Sequence, residues 1–442
     1  MTPEMKGFVL LSVIKLLFVF TVVMVGVALL TLMERKVSAW MQNRLGPNRV
    51  GPGGLLQPAA DGLKNILKEE TFPAEANPVL FTVAPALAFI PALMLSAVIP
   101  FAAPLPINSD DFGRDLGGFF ARAIPVVGSA VGSVVTGAFH AVFGVMAHHG
   151  PMPMVVADVP VGFLFVLAIG SLGVYGIALA GWASNSKYSL LGGLRASAQL
   201  VSYEVALGLS LIPVLLLTGD VSFSRIVAFQ QAGLWFVLPL FLSFFVFLVS
   251  GFAETNRLPF DLPEAESELI AGYHTEYSAM KFSFFFIAEY ANVVTISAML
   301  TTLFFGGWDI PFTTWDQHGG VLQTLATGVF FFAKLMFWIF FVMWIRWTLP
   351  RFRYDQLMAL GWKFFMPVTL VYIMVVCVVL YASDRAGVHG VLPTHLVLTG
   401  LSVILAIALF LVLDRGHLLS GSAGRRARAA AARQAQRLAA SS

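Results

Sequence analysis

Four ionisable residues stand inside long apolar segments of this sequence, where a charge is costly. Lys15, a turn or two into the first segment, suits a lysine that extends its ammonium group to the membrane surface, and the other three do not. Glu204 and Glu289 lie about two helical turns inside their segments, and Lys334 lies near the middle of another. A charged side chain at the centre of a bilayer costs about 2.5–3.5 kcal/mol on insertion scales, so each one needs a partner or a function. A buried ion pair would satisfy them structurally. We favour a function for Glu204, Glu289 and Lys334, and proton relay is the chemistry that they predict.

A second concentration of acid lies between residues 254 and 276. Six carboxylates stand there against one arginine, namely Glu254, Asp261, Glu264, Glu266, Glu268 and Glu276. Crowding of like charges raises carboxylate pKa values towards neutrality, which allows the groups to exchange protons. If the middle of this segment is helical, Glu264 and Glu268 share one face and Glu266 points away. An acidic solvated loop is the plainer interpretation, but the two intramembrane glutamates favour a carboxylate chain.

These residues belong to a chain that is too apolar for a soluble protein. Of its 442 residues, 58% are hydrophobic and 12% are charged, about half the charged share of soluble domains. Continuous apolar runs recur, each long enough to cross a bilayer, and they lack the alternation of barrel strands. We predict an all-α polytopic membrane protein with about nine transmembrane helices, near residues 8–33, 78–101, 159–181, 198–218, 234–252, 282–306, 323–345, 365–382 and 394–413.

The cysteine and histidine patterns exclude several kinds of metal chemistry. Cys377 is the single cysteine, so the chain cannot supply a four-cysteine iron–sulfur site, a haem attachment motif or an internal disulfide. The eight histidines are scattered, and none forms the HExxH arrangement of a zinc enzyme. We expect no metal site and no redox centre in this chain.

Lysine and arginine counts predict the orientation. With the nine spans above, alternate loops beginning with the first, together with the C-terminal tail, hold 20 of these residues, and the other loops hold four. Cytoplasmic loops carry the excess, so we expect the N-terminus outside and the C-terminus in the cytoplasm. The first apolar run is too long for a cleavable signal and should remain as a helix.

Two regions lie apart from the predicted spans. An insert at about 105–154 is apolar in part but broken by proline and glycine, and a single crossing there would invert everything that follows. We therefore expect an interfacial or re-entrant helix on the outer side. The bundle then occupies 1–414, and the tail at 415–442 carries six arginines and no acid. The tail is predicted to be disordered, cytoplasmic and in contact with anionic lipid.

The first loop contains an amphipathic segment at about 54–69, which reads GLLQPAADGLKNILKE. Leu56, Leu63 and Ile66 recur at helical spacing, with Asp61 and Lys64 available to the polar side. Such a helix lies in the membrane interface. It either anchors the chain to the membrane surface or forms the edge of an opening through which a lipid-soluble molecule leaves the bilayer.

Five motifs run in order from about residue 30 to residue 370. They read MERKVSAWMQNRLGPNRVGPGGLLQPAADGLKNILKEE, GWASNSKYSLLGGLRASAQLVSYE, AETNRLPFDLPEAESELIAGYHTEYSAMKF, FFIAEYAN and WIRWTLPRFRYDQLMALGWKFFMP. Together they resemble the H subunit of the bacterial proton-pumping NADH-quinone oxidoreductase, or respiratory complex I. The insert and the arginine-rich tail have no counterpart in the family pattern.

The resemblance implies a translocase subunit of the bacterial plasma membrane that lacks a redox centre of its own. It would form much of the quinone chamber and its entry tunnel, with menaquinone or ubiquinone as substrate. Iron–sulfur clusters, FMN and NADH would belong to partner subunits of the hydrophilic arm, and neighbouring membrane subunits would be further partners. No nucleic acid is implied.

Carried over residue by residue, the resemblance assigns two groups of side chains. The quinone chamber would involve Arg35, Arg44, Asp61, Arg257, Arg346, Arg351 and Asp355. A proton path from the chamber would involve Glu204, Glu254, Glu264, Glu266, Glu268, Glu276 and Glu289, largely the residues that the charge argument had selected. Lys334, selected by its position alone, is a candidate relay.

Three alternatives compete with this hypothesis. A secondary cation/proton transporter also uses intramembrane carboxylates, but it predicts internal repeats and broken helices, and no motif repeats between the two halves. A membrane subunit of a related hydrogenase or dehydrogenase complex need not use quinone, and the amphipathic segment favours quinone over it. A purely structural chain would not explain Lys334 and the two buried glutamates.

Overall fold

The computed structural model describes residues 3–105, 152–262, 270–311, 313–317, 320–387 and 390–414. Within these ranges the chain forms twelve α-helices and one pair of short strands. The strands are β1 (Ala102–Leu105) and β2 (Met152–Met154). The helices are α1 (Pro3–Met41), α2 (Gln57–Leu67), α3 (Pro78–Met94), α4 (Gly162–Ala183), α5 (Lys187–Thr218), α6 (Phe223–Gln231), α7 (Phe241–Glu254), α8 (Ala279–Phe304), α9 (Val321–Thr348), α10 (Tyr354–Ala359), α11 (Met366–Arg385) and α12 (Val391–Asp414).

The predicted all-α membrane architecture is confirmed. Eight helical segments in the described ranges are long and apolar enough to span a membrane, and they comprise all or most of α1, α3, α4, α5, α8, α9, α11 and α12. The ninth predicted span, near 234–252, overlaps α7, which has only 14 residues. Gly233 and Pro239 lie in the stretch before it, and proline lacks the N–H that a helix interior needs. The helix therefore begins only at Phe241.

Two helices extend well past their predicted ends. α1 continues to Met41 rather than stopping near residue 33, and α5 begins at Lys187 rather than near residue 198. Hydropathy falls where charges appear, but glutamate, arginine and lysine are good helix formers and do not end a helix. As a result Glu34 lies inside α1 and is buried instead of marking its end.

Small residues allow the central helices to approach closely. A Cβ atom added at Gly176 of α4 would lie 2.6 Å from the backbone nitrogen of Ala88 in α3. A Cβ atom at Gly193 of α5 would lie 3.2 Å from the Cα atom of Gly181 in α4. Membrane helices associate mainly by close packing and hydrogen bonds, because lipid tails are as apolar as the side chains that face them. Glycine and alanine therefore determine how α3, α4 and α5 assemble.

The two ends of the bundle differ. At one end, which we call the hairpin end, β1 pairs antiparallel with β2, and the Nζ atom of Lys15 in α1 donates to the carbonyl oxygen of Pro153 at 2.7 Å. At the other end, which we call the α2 end, Arg35 of α1 pairs with Asp61 of α2 at 2.6 Å. The prediction that the α2 end faces the cytoplasm stays a prediction.

The helix predicted at about 54–69 is present as α2. No residue of α2 is buried, and Leu63, Ile66 and Leu67 are 57, 62 and 76% exposed. Three large apolar side chains without a covering layer suit the membrane interface. Residues 106–151 of the predicted insert and the tail at 415–442 lie outside the described residues, so their predicted conformations stay predictions.

We expect Gly176→Ala to destabilise the chain by about 1–3 kcal/mol, because the added methyl group must push α3 and α4 apart. The measurement is the thermal midpoint of the purified protein in its complex. Gly400→Ala is the matched control, because nothing lies within 4 Å of a Cβ atom there. Equal midpoints for the two variants would contradict the packing argument.

Candidate functional site

A buried group of charges lies near the α2 end. The carboxylate of Glu34 in α1 lies 3.2 Å from Nη1 of Arg257, and it also contacts Nη1 of Arg346 in α9. The hydroxyl of Tyr290 in α8 donates to Oε2 of Glu34 at 2.6 Å. On its other side, Nε of Arg257 lies 2.5 Å from Oε1 of Glu289. We call these five residues the charge cluster.

The charge cluster is buried and electrically balanced. The side chains of Glu34, Arg257 and Glu289 are 9, 9 and 10% exposed, and that of Arg346 is 31% exposed. Buried charges persist only where they are paired and hydrogen-bonded. Two carboxylates and two guanidinium groups satisfy this condition and leave no net charge. The guanidinium of Arg257 also lies 4.3 Å from the ring centroid of Tyr290, a favourable cation–π arrangement.

The segment that follows α7 holds Arg257 in place. The side-chain amide of Gln199 in α5 donates to the carbonyl oxygens of Ala253 at 2.8 Å and Phe260 at 3.0 Å. The ring of Phe260 stacks on Phe352 with centroids 5.4 Å apart. Because the backbone is fastened on both sides of Arg257, its guanidinium is held at a fixed position between α1 and α8.

A cavity of about 50 Å³ adjoins the charge cluster. It is lined by the carboxylates of Glu204, Glu254 and Glu289, and by the amides of Asn256 and Asn292. A smaller cavity of about 10 Å³ shares Glu204, Glu254 and Asn292 with it and extends to Thr295. A polar cavity of the larger size has room for a few water molecules. Through such water the three carboxylates can exchange protons over a short distance.

The glutamates predicted for a proton path divide into three sets. Glu204, Glu254 and Glu289 meet around the cavity, and the hydroxyl of Ser171 donates to Glu204. Glu276 is partly exposed in the turn before α8 and does not line the described cavities. The remaining three lie outside the described residues, namely Glu264, Glu266 and Glu268.

The residues predicted for a chamber all lie at the α2 end, but only two of them join the charge cluster. Arg257 and Arg346 are those two. Nearer the surface, Asp61 pairs with Arg35 at 2.6 Å and accepts a hydrogen bond from Gln57 at 3.0 Å. The others form the exposed surroundings: Arg351 pairs with Asp261 at 3.2 Å, Arg44 contacts Gln42 at 2.6 Å, and Asp355 is exposed at the start of α10.

Lys334 makes the contacts of a helix cap. Its ammonium group donates to the carbonyl oxygens of Phe305 at 2.7 Å, Gly307 at 3.0 Å and Asp309 at 2.6 Å, just after α8 ends. Of these carbonyl groups, that of the C-cap residue Phe305 belongs to the end of the helix, and the other two belong to the connection after it. A cation at this end of α8 complements the helix dipole. The part of α9 before Lys334 contacts β1 through Thr327 and begins about 20 Å from Lys334. The end of α8 that Lys334 binds is therefore the end nearer the hairpin. These contacts support a structural role, and the relay role stays a prediction.

Sequence reasoning missed Glu34 and Tyr290. Glu34 directly follows an apolar run and looks like the polar flank of a span. The stretch from Glu34 to Met41 contains no proline or glycine, and this continuity was the available signal that α1 carries Glu34 onward into the bundle. Tyr290 gave no signal, because a tyrosine among apolar residues is ordinarily a packing residue.

The histidine nearest in sequence to α8 adds no charge to this region. His274 packs against the rings of Tyr273 and Phe282, and burial lowers the pKa of its imidazole to about 4. It is therefore neutral at neutral pH. In the described part of the chain, no three histidine, cysteine or carboxylate side chains form a group that could hold a metal ion.

We expect Glu34→Gln to destabilise the protein by about 3–5 kcal/mol, because it leaves a buried positive charge uncompensated. The double variant with Arg346→Gln restores neutrality, so its loss should be smaller than the sum of the two single losses. Thermal midpoints of the three variants measure this difference. The more exposed pair of Arg35 and Asp61 is the control. The single variants Arg35→Gln and Asp61→Asn and their double variant should show a coupling energy of at most about 1 kcal/mol. Additive losses at Glu34 and Arg346 would contradict their pairing.

Known proteins resemble this chain over most of its length. The sequence profile of the family described as NADH dehydrogenase matches residues 14–377. The second NADH-quinone oxidoreductase H subunit of Koribacter versatilis is 48% identical over 372 residues, which cover 83% of this chain and 96% of the relative. The first NADH-quinone oxidoreductase H subunit of Geobacter sulfurreducens is 48% identical over 367 residues, covering 83% and 94%. The NADH-quinone oxidoreductase H subunit of Flavobacterium johnsoniae is 43% identical over 388 residues, covering 87% and 99%.

Proposed function

The chain belongs to the family of the H subunit of bacterial NADH-quinone oxidoreductase, and we propose that it forms the membrane wall of a quinone chamber and the first part of a proton path. It is a multi-pass membrane subunit of an oxidoreductase complex, with other subunits of that complex as partners. This membership replaces the secondary-transporter alternative. Within the complex, the buried charges of the α2 end would carry both roles.

One observation carries the proposal: Glu289 belongs to two sites at once. It pairs with Arg257 in the charge cluster, and it lines the cavity shared with Glu204 and Glu254. A change of charge near Arg257 therefore changes the proton affinity of Glu289 directly. The next carboxylates along the cavity respond in turn, because interacting acids titrate as a unit. A redox event at the α2 end can thus become a movement of protons along the bundle.

Quinone reduction supplies such a change of charge. The reaction takes up two electrons and two protons, so the headgroup becomes negative until it is protonated. Guanidinium groups stabilise an oxyanion by charge and by donated hydrogen bonds, and Arg346 is the more exposed of the two in the charge cluster. A negative headgroup beside Arg346 would compete with Glu34 for it. The released negative charge would favour proton uptake by the neighbouring carboxylates.

The surroundings of the charge cluster support entry of a lipid-soluble substrate at the α2 end. α2 exposes apolar side chains beside the ion pair of Arg35 and Asp61. An isoprenoid tail can stay in contact with such a surface while its headgroup moves towards the arginines. The quinone, menaquinone or ubiquinone, would receive electrons from an iron–sulfur cluster of a partner subunit that also communicates with FMN and NADH. We place this end on the cytoplasmic side of the bacterial plasma membrane, with the N-terminus outside and the C-terminus inside.

We expect Arg257→Ala to lower NADH-quinone reductase activity by about tenfold or more, because it removes a charge that orders the chamber. Electron transfer from NADH to ferricyanide, which does not require the chamber, should change much less. Arg225→Ala is the control, because that arginine is 77% exposed and pairs with Asp220 at the hairpin end. Equal loss of both activities in the Arg257 variant would indicate failed assembly. Unchanged quinone reductase activity in an assembled variant would contradict a chamber role.

We expect Glu204→Gln and Glu289→Gln to lower coupled proton translocation by about tenfold, because an amide cannot accept and release the transferred proton. Translocation is measured as acidification of inverted membrane vesicles, and subunit content is measured by immunoblot. Glu75→Gln is the control, since Glu75 is an exposed partner of Asn185. Full translocation in both cavity variants would remove the proton path from the proposal.

A further inference from the structure

Two aspartates are buried together at the hairpin end, far from the charge cluster. Asp309 and Asp316 are 6 and 4% exposed, and both lie in the connection between α8 and α9. The ammonium of Lys334 is bound at the same place, with the carbonyl oxygen of Asp309 at 2.6 Å. The proposed function uses neither aspartate. Buried acids that serve no known purpose require a physical explanation, because an unpaired charge is costly there.

One carboxyl oxygen of each aspartate accepts a hydrogen bond from a donor outside the pair. Oδ2 of Asp309 accepts from the indole N–H of Trp235 at 2.6 Å. Oδ2 of Asp316 accepts from the side-chain amide of Gln231 at 3.0 Å and from the backbone N–H of Ile310 at 3.5 Å. These donors come from the end of α6, from the turn after it and from the connection itself. They hold both carboxyl groups in defined positions.

The other oxygen of Asp316 has no conventional donor. Oδ1 is buried, and among the described residues no N–H or O–H group donates to it. The carboxyl group of Asp309 is a neighbour of that of Asp316, since Ile310, the next residue, donates its backbone N–H to Asp316, and the two side chains interact as hydrogen-bonding partners. Two ionised carboxylates in that arrangement repel, whereas one proton between them makes a short charge-assisted O–H···O hydrogen bond. A buried acceptor that stays empty is costly, so the arrangement favours the shared proton.

The local charge leads to the same conclusion. With one shared proton, the pair carries one negative charge, which the ammonium of Lys334 balances. Without the shared proton, two negative charges face one positive charge. Asp316 also lines a cavity of about 670 Å³, and Asp158 adds a further carboxylate to the lining of that cavity. Burial, opposed by the Trp235 hydrogen bond and Lys334 but reinforced by Asp316, raises the pKa of Asp309 to about 6. Among the described residues, Asp316 and Lys334 are the charged groups that act on Asp309, and Lys334 is acted on by both aspartates.

We propose that Asp309 and Asp316 share one proton, and that this acid pair forms a proton-binding site which fastens the connection between α8 and α9 to Lys334. Loss of the proton makes the two carboxylates repel each other within the connection. The carbonyl groups of the same connection bind the ammonium of Lys334, so this repulsion loosens its attachment. The site is independent of the proposed function, because it contacts neither the charge cluster nor the cavity of the three glutamates.

The sign of the pH dependence follows from the direction of the pKa shift. An aspartate with a raised pKa in the folded state stabilises that state most below its unfolded value, near 4. The stabilisation is lost as the pH rises through the folded value of about 6. The connection should therefore be held more firmly at about pH 5 than at about pH 8.

Hydrogen–deuterium exchange of the purified complex tests the proposal. After correction for intrinsic rates, peptides covering residues 305–317 should exchange about tenfold faster at about pH 8 than at about pH 5. In Asp316→Asn an amide N–H replaces the shared proton, so protection should persist at both pH values. Asp309→Asn should behave in the same way, and it serves as the second variant if the first does not assemble.

Asp220→Asn is the matched control. Asp220 lies in the connection before α6, where a hydrogen bond from the backbone N–H of Ser222 is the main cause that holds its pKa below the usual range. This variant should keep the pH dependence of the unmodified protein. Full pH dependence in both asparagine variants, or none in the unmodified protein, would overturn the proposal.

Calcium and a chelator provide the last arm of the test. Two carboxylates can also bind a divalent cation. In that case, added calcium would slow hydrogen exchange of residues 305–317 at about pH 8, and a chelator would accelerate it. The shared proton predicts no effect of either addition. Calcium-dependent protection would therefore replace the proton by a cation and overturn the proposal without requiring any variant.

Discussion

The structure depends on one arginine held between two buried carboxylates. Arg257 reaches Glu34 on α1 and Glu289 on α8, and through Glu34 the same group includes Arg346 on α9. Removing one partner of a buried pair typically costs about 3–5 kcal/mol, because the remaining charge has no water to solvate it. Three membrane helices and the segment after α7 are thereby fixed relative to one another. The cavity of the three glutamates lies beside this fixed point, and Glu289 connects the two.

Glycine gives the bundle both its closest contacts and its open space. Gly176 allows α4 to approach the backbone of α3, whereas Gly173 and Gly170, about one and two turns away on the same helix, line the cavity. A Cβ atom at Gly170 would lie 3.8 Å from Oε1 of Glu254, so a larger side chain there would fill the space beside that carboxylate. Close packing of the helices would otherwise fill the space between them, so the polar cavity depends on glycines such as Gly170 and Gly173 that carry no side chain.

Hydropathy and charge predicted most of the architecture and part of the site. The membrane spans, the helix α2 and the unusual placement of Glu204 and Glu289 all followed from local sequence. Glu34 did not, because a charge that ends an apolar run looks the same whether the helix stops or continues. The contacts of Lys334 could not be predicted either, since they depend on how far along α9 the end of α8 lies. The shortened α7 reflects Gly233 and Pro239, which a hydropathy average hides.

The difference in burial between the two ion-pair layers at the α2 end has a mechanical consequence. Arg35 and Asp61 are 52 and 30% exposed, and a pair of that kind holds its partners together by about 0–1 kcal/mol. The charge cluster beneath it is several times harder to separate. Thermal motion therefore moves α2 relative to α1 far more readily than it moves α1 relative to α8. Near the α2 end, α1, α8 and α9 are thus held as one rigid unit, and α2 can shift relative to that unit without breaking its buried ion pairs.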